Sequence, residues 1–397
     1  MLAHEGEGPR GVPHLNHVFV IMMENHGYSQ IIDNPSAPFI NKYAHSANLG
    51  TNYYAVAHPS LTNYLEVIGG SNFGVLTDNY PDWHNQSCTP NIVAKTTATD
   101  TPASPNICPI AGAGLDAETP AFDFTNETTG SPGEVNIDGV QAIAAAPTVG
   151  KTIADQLVAR GLSWKSYQED LPIVGPDLVN FSDGFYSNLT DFSAITPVLT
   201  PPLDSSGIVA LYAAKHNPFV YFKNIQDGTD PRNSFRNIVS LVGANGLYAD
   251  LRAGAAPTLA FIAPNQCNDQ HGRGNAGPFC NYDPSDDGSQ AGLNPALIYR
   301  GDVTVKRLVT TIHESPAWRD GNSAIVVVWD ENDYSLSPNN NRVVVIVDTN
   351  YGRHGAVSDR RYTHFSLLKT MEAAFDLPCL NHACDRDVAV MSDLFAR

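Results

Sequence analysis

Polar residues that can bind a metal ion or move a proton follow three apolar runs of this sequence. The groups are Glu24, Asn25 and His26; Asn265, Asp269 and His271; and Asp330, Glu331 and Asp333. Carboxylates gathered in one place repel one another unless a cation lies between them, and hard divalent ions prefer oxygen ligands. If the runs are parallel strands, their carboxyl ends meet at one edge of a sheet, where ligands bind. The groups therefore predict a divalent-metal site.

Each group taken alone is also typical of a loop cap or a solvated turn after a buried strand. Three groups after three predicted strands favour the functional interpretation. Isolated histidines are different, and we interpret His45 and His313 as packed or surface residues.

A candidate nucleophile lies in AHPSLTNYLEVIGG, residues 57–70. Apolar residues recur there with helical spacing, so Ser60 stands at or just before a helix start, where unpaired amides favour an anion. Ser60 as a simple N-cap, with Asn63 in the first turn, is an equally good interpretation from the pattern alone. A neighbouring metal ion would make Ser60 a nucleophile.

The elements that must position these residues alternate along the chain. Near-continuous apolar runs typical of buried parallel strands are HVFVIMM, PFVYFKN, TLAFIAPN, SAIVVVWDEND and RVVVIVDTN. Helical periodicity occurs in SLTNYLEVIGG, TIADQLVARG, DVTVKRLVTTIHESPAW and HFSLLKTMEAAFDLP. The alternation predicts an α/β fold with a doubly wound, mostly parallel sheet flanked by helices. We expect one domain over residues 1–397, with an irregular, disulfide-stapled excursion at about 85–150.

Composition excludes several classes of function. The chain has 397 residues, 42% hydrophobic content and a net charge of −18, which disfavours binding to nucleic acid and to anionic membrane surfaces. No apolar stretch is long enough for a membrane span, so we expect none.

Six cysteines fall into three close pairs, Cys88 with Cys108, Cys267 with Cys280, and Cys379 with Cys384. Three local disulfides are the preferred interpretation. Zinc binding by these cysteines is disfavoured because the sequence has no C-x-x-C pair. N-x-[ST] sequons occur at Asn85, Asn126, Asn180 and Asn188. Together these features predict a secreted or periplasmic protein.

Seven motifs in a fixed order resemble the phosphoesterase family that contains bacterial acid phosphatases and phospholipases C, a branch of the alkaline-phosphatase superfamily. They are MMENHGYSQI, HPSLTNYLEVIGG, SWKSYQEDLP, KHNPFVYF, FIAPNQCNDQH, VVVWDEND and THFSLLKTMEAAFDLP. The resemblance covers about residues 16–380 and implies an alkaline-phosphatase-like fold.

The resemblance also implies roles for individual residues. The implied metal ligands are Glu24, Asn25, Asp330 and Glu331; the implied catalytic residues are Ser60 and His271; and the implied substrate-binding residues are Asn25, Asn63, Asp269 and His364. Trp164, Tyr167, Glu169 and His216 are expected to hold loops or to wall the substrate rather than to do chemistry.

Two positions depart from the family pattern. Thr62 replaces the usual Pro and is a lesser candidate nucleophile, and Arg342 replaces a histidine that many members carry. The sequence also lacks the full ligand set of two-zinc relatives, so one divalent ion is expected, whether Ca²⁺, Mg²⁺, Mn²⁺ or Zn²⁺.

The function that these features favour is a secreted, metal-dependent phosphomonoesterase that works through a phosphoserine intermediate. Its substrate would be a phosphate ester of a small molecule or of a lipid headgroup. Two alternatives stay open: a phospholipase C or other phosphodiesterase, and a non-catalytic anion-binding protein.

Overall fold

The structure is a computed structural model that describes residues 5–58, 60–73, 83–84, 108–109, 122–123, 150–171, 212–222, 224–225, 228–272, 295–332 and 340–396. Most of the predicted excursion at 85–150 lies outside these ranges, and so do all four sequons.

Strands and helices alternate as the sequence predicts. The strands are β1 (His17–Met23), β2 (Asn48–Tyr54), β3 (Ala57–His58), β4 (Trp83–His84), β5 (Cys108–Pro109), β6 (Phe122–Asp123), β7 (Trp164–Gln168), β8 (Ile238–Ser240), β9 (Leu259–Ala263), β10 (Ser323–Trp329), β11 (Arg342–Thr349), β12 (Val357–Ser358) and β13 (Tyr362–Thr363). The α-helices are α1 (Tyr28–Ile31), α2 (Pro38–Ser46), α3 (Ser60–Gly69), α4 (Ile153–Ala159), α5 (Leu247–Ala253), α6 (Pro295–Glu314) and α7 (His364–Ala374).

The main sheet has the strand order β12-β2-β11-β10-β1-β9-β7-β8, and β13 also pairs with β2. The five strands from β10 to β8 in this order are all parallel. Strand β11 is antiparallel to both of its neighbours. Helices flank the sheet, with α2 packed on α6 and α3 packed on α7. The predicted α/β fold with a mostly parallel sheet is therefore confirmed, with one antiparallel strand added.

The central strands explain the apolar runs. Every residue of β10 is buried, and so are all residues of β1 after His17. A strand covered on both faces has no water-facing side, so its sequence shows no alternation of apolar and polar residues. Polar residues return only at the ends of these strands.

One predicted strand was wrong, and one strand was not predicted. The run PFVYFKN is not a strand, because residues Pro218–Tyr221 form a 3₁₀ helix. Pro218 supplies the backbone angle of a first helical turn, and the following aromatic residues are buried, as they would be in a strand. Strand β2 has the sequence NLGTNYY, which carries too few apolar residues to be recognised.

The predicted disulfide between Cys379 and Cys384 is present, with a Cα–Cα distance of 5.2 Å. Cys267 is disulfide-bonded as well, but its predicted partner Cys280 lies outside the described residues, as does Cys88. Within the described ranges, no helix combines the length and the apolar composition needed to cross a bilayer.

Candidate active site

The sheet brings the predicted polar groups to one edge. Strand β1 lies between β9 and β10 in parallel register, with Met23 opposite Trp329. The residues that follow them are joined directly, because the Asn25 amide donates to Asp330 Oδ1 over 3.1 Å. The Glu24 amide donates to the carbonyl of Asp269 over 2.9 Å. The three strand-end groups therefore converge.

Ser60 is the first residue of α3 and is 1% exposed. Its Oγ lies 3.2 Å from Glu24 Oε2 and 3.2 Å from Glu331 Oε1. The hydroxyl thus lies between two carboxylates, either of which can accept its hydrogen bond, at a helix end that favours an anion. Thr62, the lesser candidate nucleophile, lies two residues after Ser60 on the same helix and is fully buried.

Glu331 is held by residues that precede and follow Ser60. His58 Nδ1 lies 2.7 Å from Glu331 Oε2, and Asn63 Nδ2 donates to the same oxygen over 3.2 Å. Asn63 also donates to the carbonyl of Ala57 and accepts from the amides of Val56 and Ala57. Through these contacts Asn63 positions Glu331 and the Ser60 loop, and its role in substrate binding stays a prediction.

Glu24 is held from the opposite side by two rings. Tyr64 OH donates to Glu24 Oε1 over 2.5 Å, and His216 Nε2 lies 3.1 Å from the same oxygen. The Tyr64 and His216 rings stack with centroids 5.3 Å apart and planes 6° apart. His216 Nδ1 lies 3.2 Å from Asp269 Oδ2, so this histidine bridges two of the strand-end carboxylates.

His216 therefore lies at the centre of the site, whereas the sequence interpretation made it a loop or wall residue. Sequence reasoning also missed His58, Tyr64 and Lys215. His58 stands two residues before Ser60 and Tyr64 one turn after it, which is a usable signal. Lys215 and His216 open the motif KHNPFVYF, but their place in the site could not be predicted, because the 3₁₀ turn that carries them reaches the site only through the tertiary fold.

Asp269 and His271 lie on the β9 side of the site. Asp269 Oδ1 accepts from the His271 amide over 2.7 Å, and its other oxygen faces His216. Asp269 is 1% exposed and contacts both histidines, and its role in substrate binding stays a prediction. His271 reaches the same cluster, since Glu24, His216 and His271 each offer a ligand atom within 4.8 Å of the others.

His364, whose role in substrate binding stays a prediction, contacts Tyr53 and the backbone of Asp330. The ring is fully buried, with Nε2 2.6 Å from the carbonyl oxygen of Asp330 and Nδ1 2.9 Å from Tyr53 OH. Burial lowers the pKa of His364 to about 4, so the ring is neutral. With both nitrogens engaged inside the protein, His364 positions the backbone of Asp330.

The carboxylates of the site are buried together, and both their burial and their mutual repulsion disfavour the ionised forms. Burial, followed by the charges of Asp330 and Asp269, raises the pKa of Glu24 well above its ordinary value. Burial, followed by the charge of Glu331, raises the pKa of Asp330 to about 8. Burial also raises the pKa of Asp269. These groups need either protons or an added positive charge.

The residues present fit a bound cation. Asn25 is 6% exposed, and its Oδ1 accepts no hydrogen bond from the described residues. Its φ of 61° is a left-handed conformation that Asn tolerates better than most residues. A buried amide oxygen beside repelling carboxylates is the donor set of a hard divalent ion.

The remaining predicted positions support loops. Tyr167 donates to Asp250, and Glu169 accepts from Asn265 and Asn268. The Arg342 guanidinium lies 4.1 Å from the Tyr28 ring centroid and donates to the carbonyl of Thr51. This hydrogen bond links the start of β11 to β2. His313 pairs with Asp348, and exposed His45 bonds to its own helix, as expected for histidines outside the site.

The fold is a mostly parallel α/β sheet, and a helix-start hydroxyl lies between two carboxylates at the strand ends. The chain belongs to the Phosphoesterase family, whose profile matches residues 32–277 and 291–378. It is accordingly a hydrolase acting on phosphoric ester bonds.

Relatives with similar sequences carry phosphatase names. The chain is 23% identical over 380 residues to a phosphatidylinositol-3-phosphatase of Mycobacterium tuberculosis, covering 95% of this chain and 83% of that protein. It is 22% identical to a phosphate-repressible acid phosphatase of Penicillium chrysogenum, covering 86% of this chain and 55% of that protein. It is 21% identical to a probable acid phosphatase of Kluyveromyces lactis, covering 93% and 61% respectively. The chain thus spans less than two thirds of each of these two longer fungal relatives.

Among solved structures, the chain aligns with a protein of the alkaline phosphatase superfamily from Vibrio parahaemolyticus. The alignment covers 98% of this chain and 74% of that chain, with 12% identity and a TM-score of 0.46.

Proposed function

We propose that the protein is a metal-dependent phosphomonoesterase that forms a phosphoserine intermediate on Ser60. One observation carries the proposal: Ser60 Oγ, at the start of α3, lies 3.2 Å from a carboxylate oxygen of Glu24 and from one of Glu331. The phosphatase names of the relatives favour a monoester over a diester.

A single divalent ion would be held by Glu24, Asn25, Asp330 and Glu331, the buried oxygen donors at the ends of β1 and β10. When bound, such an ion polarises a phosphoryl oxygen and lowers the pKa of a nearby hydroxyl. It also offsets the repulsion among the carboxylates.

The chain supplies the remaining parts of the reaction. Ser60 Oγ forms a bond to phosphorus while the bond from phosphorus to the alcohol oxygen breaks, and the Ser60 proton passes to Glu331 and then to the leaving alcohol oxygen. Glu331 is oriented for this by His58 and Asn63. The first amides of α3 would donate to the phosphoryl oxygens. Water then attacks phosphorus and gives a proton to Glu331, the bond from phosphorus to Ser60 breaks, the proton returns to Ser60 Oγ, and inorganic phosphate is released.

An extracytoplasmic location is part of the proposal. The disulfide between Cys379 and Cys384 supports it, together with the bonded state of Cys267, because such bonds persist in oxidising compartments.

Ser60→Ala tests the mechanism with p-nitrophenyl phosphate as the substrate. We expect kcat to fall by at least about 10³-fold, because the nucleophile is removed, with an unchanged thermal unfolding midpoint. Ser36→Ala, a change outside the site, is the matched control. Acid quenching of wild type during turnover, followed by mass spectrometry, should place a phosphoryl group on Ser60. Normal turnover by Ser60→Ala would exclude the proposed nucleophile.

A substrate panel separates the alternatives. We expect p-nitrophenyl phosphate to be hydrolysed faster than bis(p-nitrophenyl) phosphate and faster than phosphatidylcholine. Phosphatidylinositol 3-phosphate belongs in the panel because the mycobacterial relative carries that activity in its name. A preference for diesters would favour a phosphodiesterase, and phosphate binding without hydrolysis of any ester would favour an anion-binding protein.

A further inference from the structure

Lys215 is a buried cation that begins the motif KHNPFVYF, but the proposed mechanism gives it no role. It lies in the 3₁₀ turn Ala214–His216 and is only 5% exposed. Its Nζ lies 3.2 Å from His271 Nε2. Its charge also acts on the carboxylates of Glu24 and Asp269, which places the ammonium at the site. A lysine is rarely buried without a specific electrostatic reason.

The contacts of His271 fix its protonation and its role. His271 Nδ1 lies 2.9 Å from the carbonyl oxygen of Gly272, which can only accept, so Nδ1 carries the proton. Nε2 faces the Lys215 ammonium, which can only donate, so Nε2 is the acceptor. His271 is therefore a neutral ring whose remaining lone pair receives Lys215.

The ammonium lies beside the carboxylate and histidine cluster. Glu24, His216 and His271 each offer a ligand atom within 4.8 Å of the others, and Lys215 Nζ contacts His271. The proposed cation site is formed by the oxygen donors around Asn25 and Asp330, so the β9 side of the site carries the Lys215 positive charge.

We propose that Lys215 binds the phosphoryl group of the substrate and makes the site selective for phosphomonoesters, with His271 as the residue that positions it. The inference rests on the proposed phosphoesterase function. A monoester dianion carries one more negative charge and one more unesterified oxygen than a diester. A second fixed positive charge beside the metal ion therefore favours the monoester. The three N–H groups of an ammonium allow Lys215 to serve His271 and a phosphoryl oxygen together.

Lys215→Met tests the assignment, because it keeps the length of the side chain and removes the charge. A hydrogen bond to a charged group corresponds to about a 10- to 100-fold effect. We expect the affinity for inorganic phosphate, measured by calorimetry, to fall by that factor. We expect kcat/KM for p-nitrophenyl phosphate to fall at least tenfold more than kcat/KM for the bis ester. Metal content per chain should not fall below that of wild type.

Two further variants separate binding from folding. Lys215→Arg should restore part of the phosphate affinity because it keeps the charge. Lys165→Met removes a lysine paired with Asp250 at 2.5 Å and should leave the ratio of monoester to diester rates unchanged. His271→Asn should lower that ratio in wild type but have little further effect in Lys215→Met, because the positioned group is already absent.

An unchanged ratio in a folded Lys215→Met protein would overturn the assignment while leaving the proposed phosphomonoesterase intact. A wild-type protein that prefers diesters, or that binds no phosphate, would overturn both.

Discussion

Removing the Tyr64 hydroxyl should weaken metal binding without touching a proposed metal ligand. Tyr64 OH donates to Glu24 Oε1 over 2.5 Å, and the Tyr64 ring stacks on His216, which contacts the same oxygen. Tyr64→Phe keeps the ring and its stacking but removes the donor that orients Glu24. The variant therefore isolates one hydrogen bond.

The size of the effect follows from the kind of hydrogen bond. A hydrogen bond to a charged group contributes about 1.5–3 kcal/mol, and each 1.4 kcal/mol is about tenfold in affinity. Changes to residues that orient metal ligands weaken metal affinity or activity by about 10- to 100-fold. We expect the dissociation constant for the activating divalent ion to rise by this factor in Tyr64→Phe. At saturating metal, kcat should recover most of its wild-type value.

The assay is hydrolysis of p-nitrophenyl phosphate by chelator-treated protein as Mg²⁺, Mn²⁺, Ca²⁺ or Zn²⁺ is added back. Tyr43→Phe is a matched control, because Tyr43 OH donates to the buried carboxylate of Asp348 over 3.1 Å away from the strand-end cluster. That variant should show wild-type metal dependence. Equal metal dependence in wild type and Tyr64→Phe would refute the orienting role of Tyr64, and full activity without added metal would refute the cation itself.

Three more predictions concern buried groups. His58→Gln removes the ring paired with Glu331 at 2.7 Å. We expect kcat for p-nitrophenyl phosphate to fall at least about tenfold and the thermal unfolding midpoint to drop. Full activity of this variant would show that His58 does not orient the Glu331 carboxylate. Burial raises the pKa of Glu372 above its ordinary value of 4.5, so the folded state holds the proton more tightly and wild-type stability should fall as pH rises above 4.5. Denaturant titrations at several pH values measure how the free energy of unfolding changes with pH. Glu372 contributes at most about 1.4 kcal/mol per pH unit to this slope, so the slope should be smaller in Glu372→Gln. Equal slopes in the two proteins would contradict the raised pKa of Glu372. Cys379→Ser opens the short loop closed with Cys384 and should lower the free energy of unfolding by about 2 kcal/mol under oxidising conditions, with no difference under reducing conditions.

The parts of the fold and site that follow from local sequence were predictable. Strands β1, β9 and β10 are marked by unbroken apolar runs, and the polar residues that end them meet because parallel strands share an edge. Ser60 was predictable as a helix start because the apolar spacing begins directly after it. In each case the signal lies within a few residues of the feature.

The parts that depend on distant contacts were not predictable. His216 gains its role because the 3₁₀ turn that carries it brings it to Glu24 and Asp269, which belong to two different strand ends. The hydrogen bonds that Asn63 and His364 make inside the protein could not be predicted either, because their partners lie on other elements. A sequence motif indicates that such residues gather, but only their hydrogen-bond partners show which of them can face a ligand.

The central position of β1 has a consequence for synthesis of the protein. This strand is translated long before its neighbours in the sheet, which begin at Leu259 and Ser323. A nascent chain that has not reached β10 exposes an apolar strand with unpaired edges, a state prone to aggregation and dependent on chaperones. Glu24 then has no Asp330 beside it, so the carboxylate cluster forms only after β10 has been translated. Ribosome-arrested chains should therefore gain protease resistance late and in one step, after β10 leaves the exit tunnel.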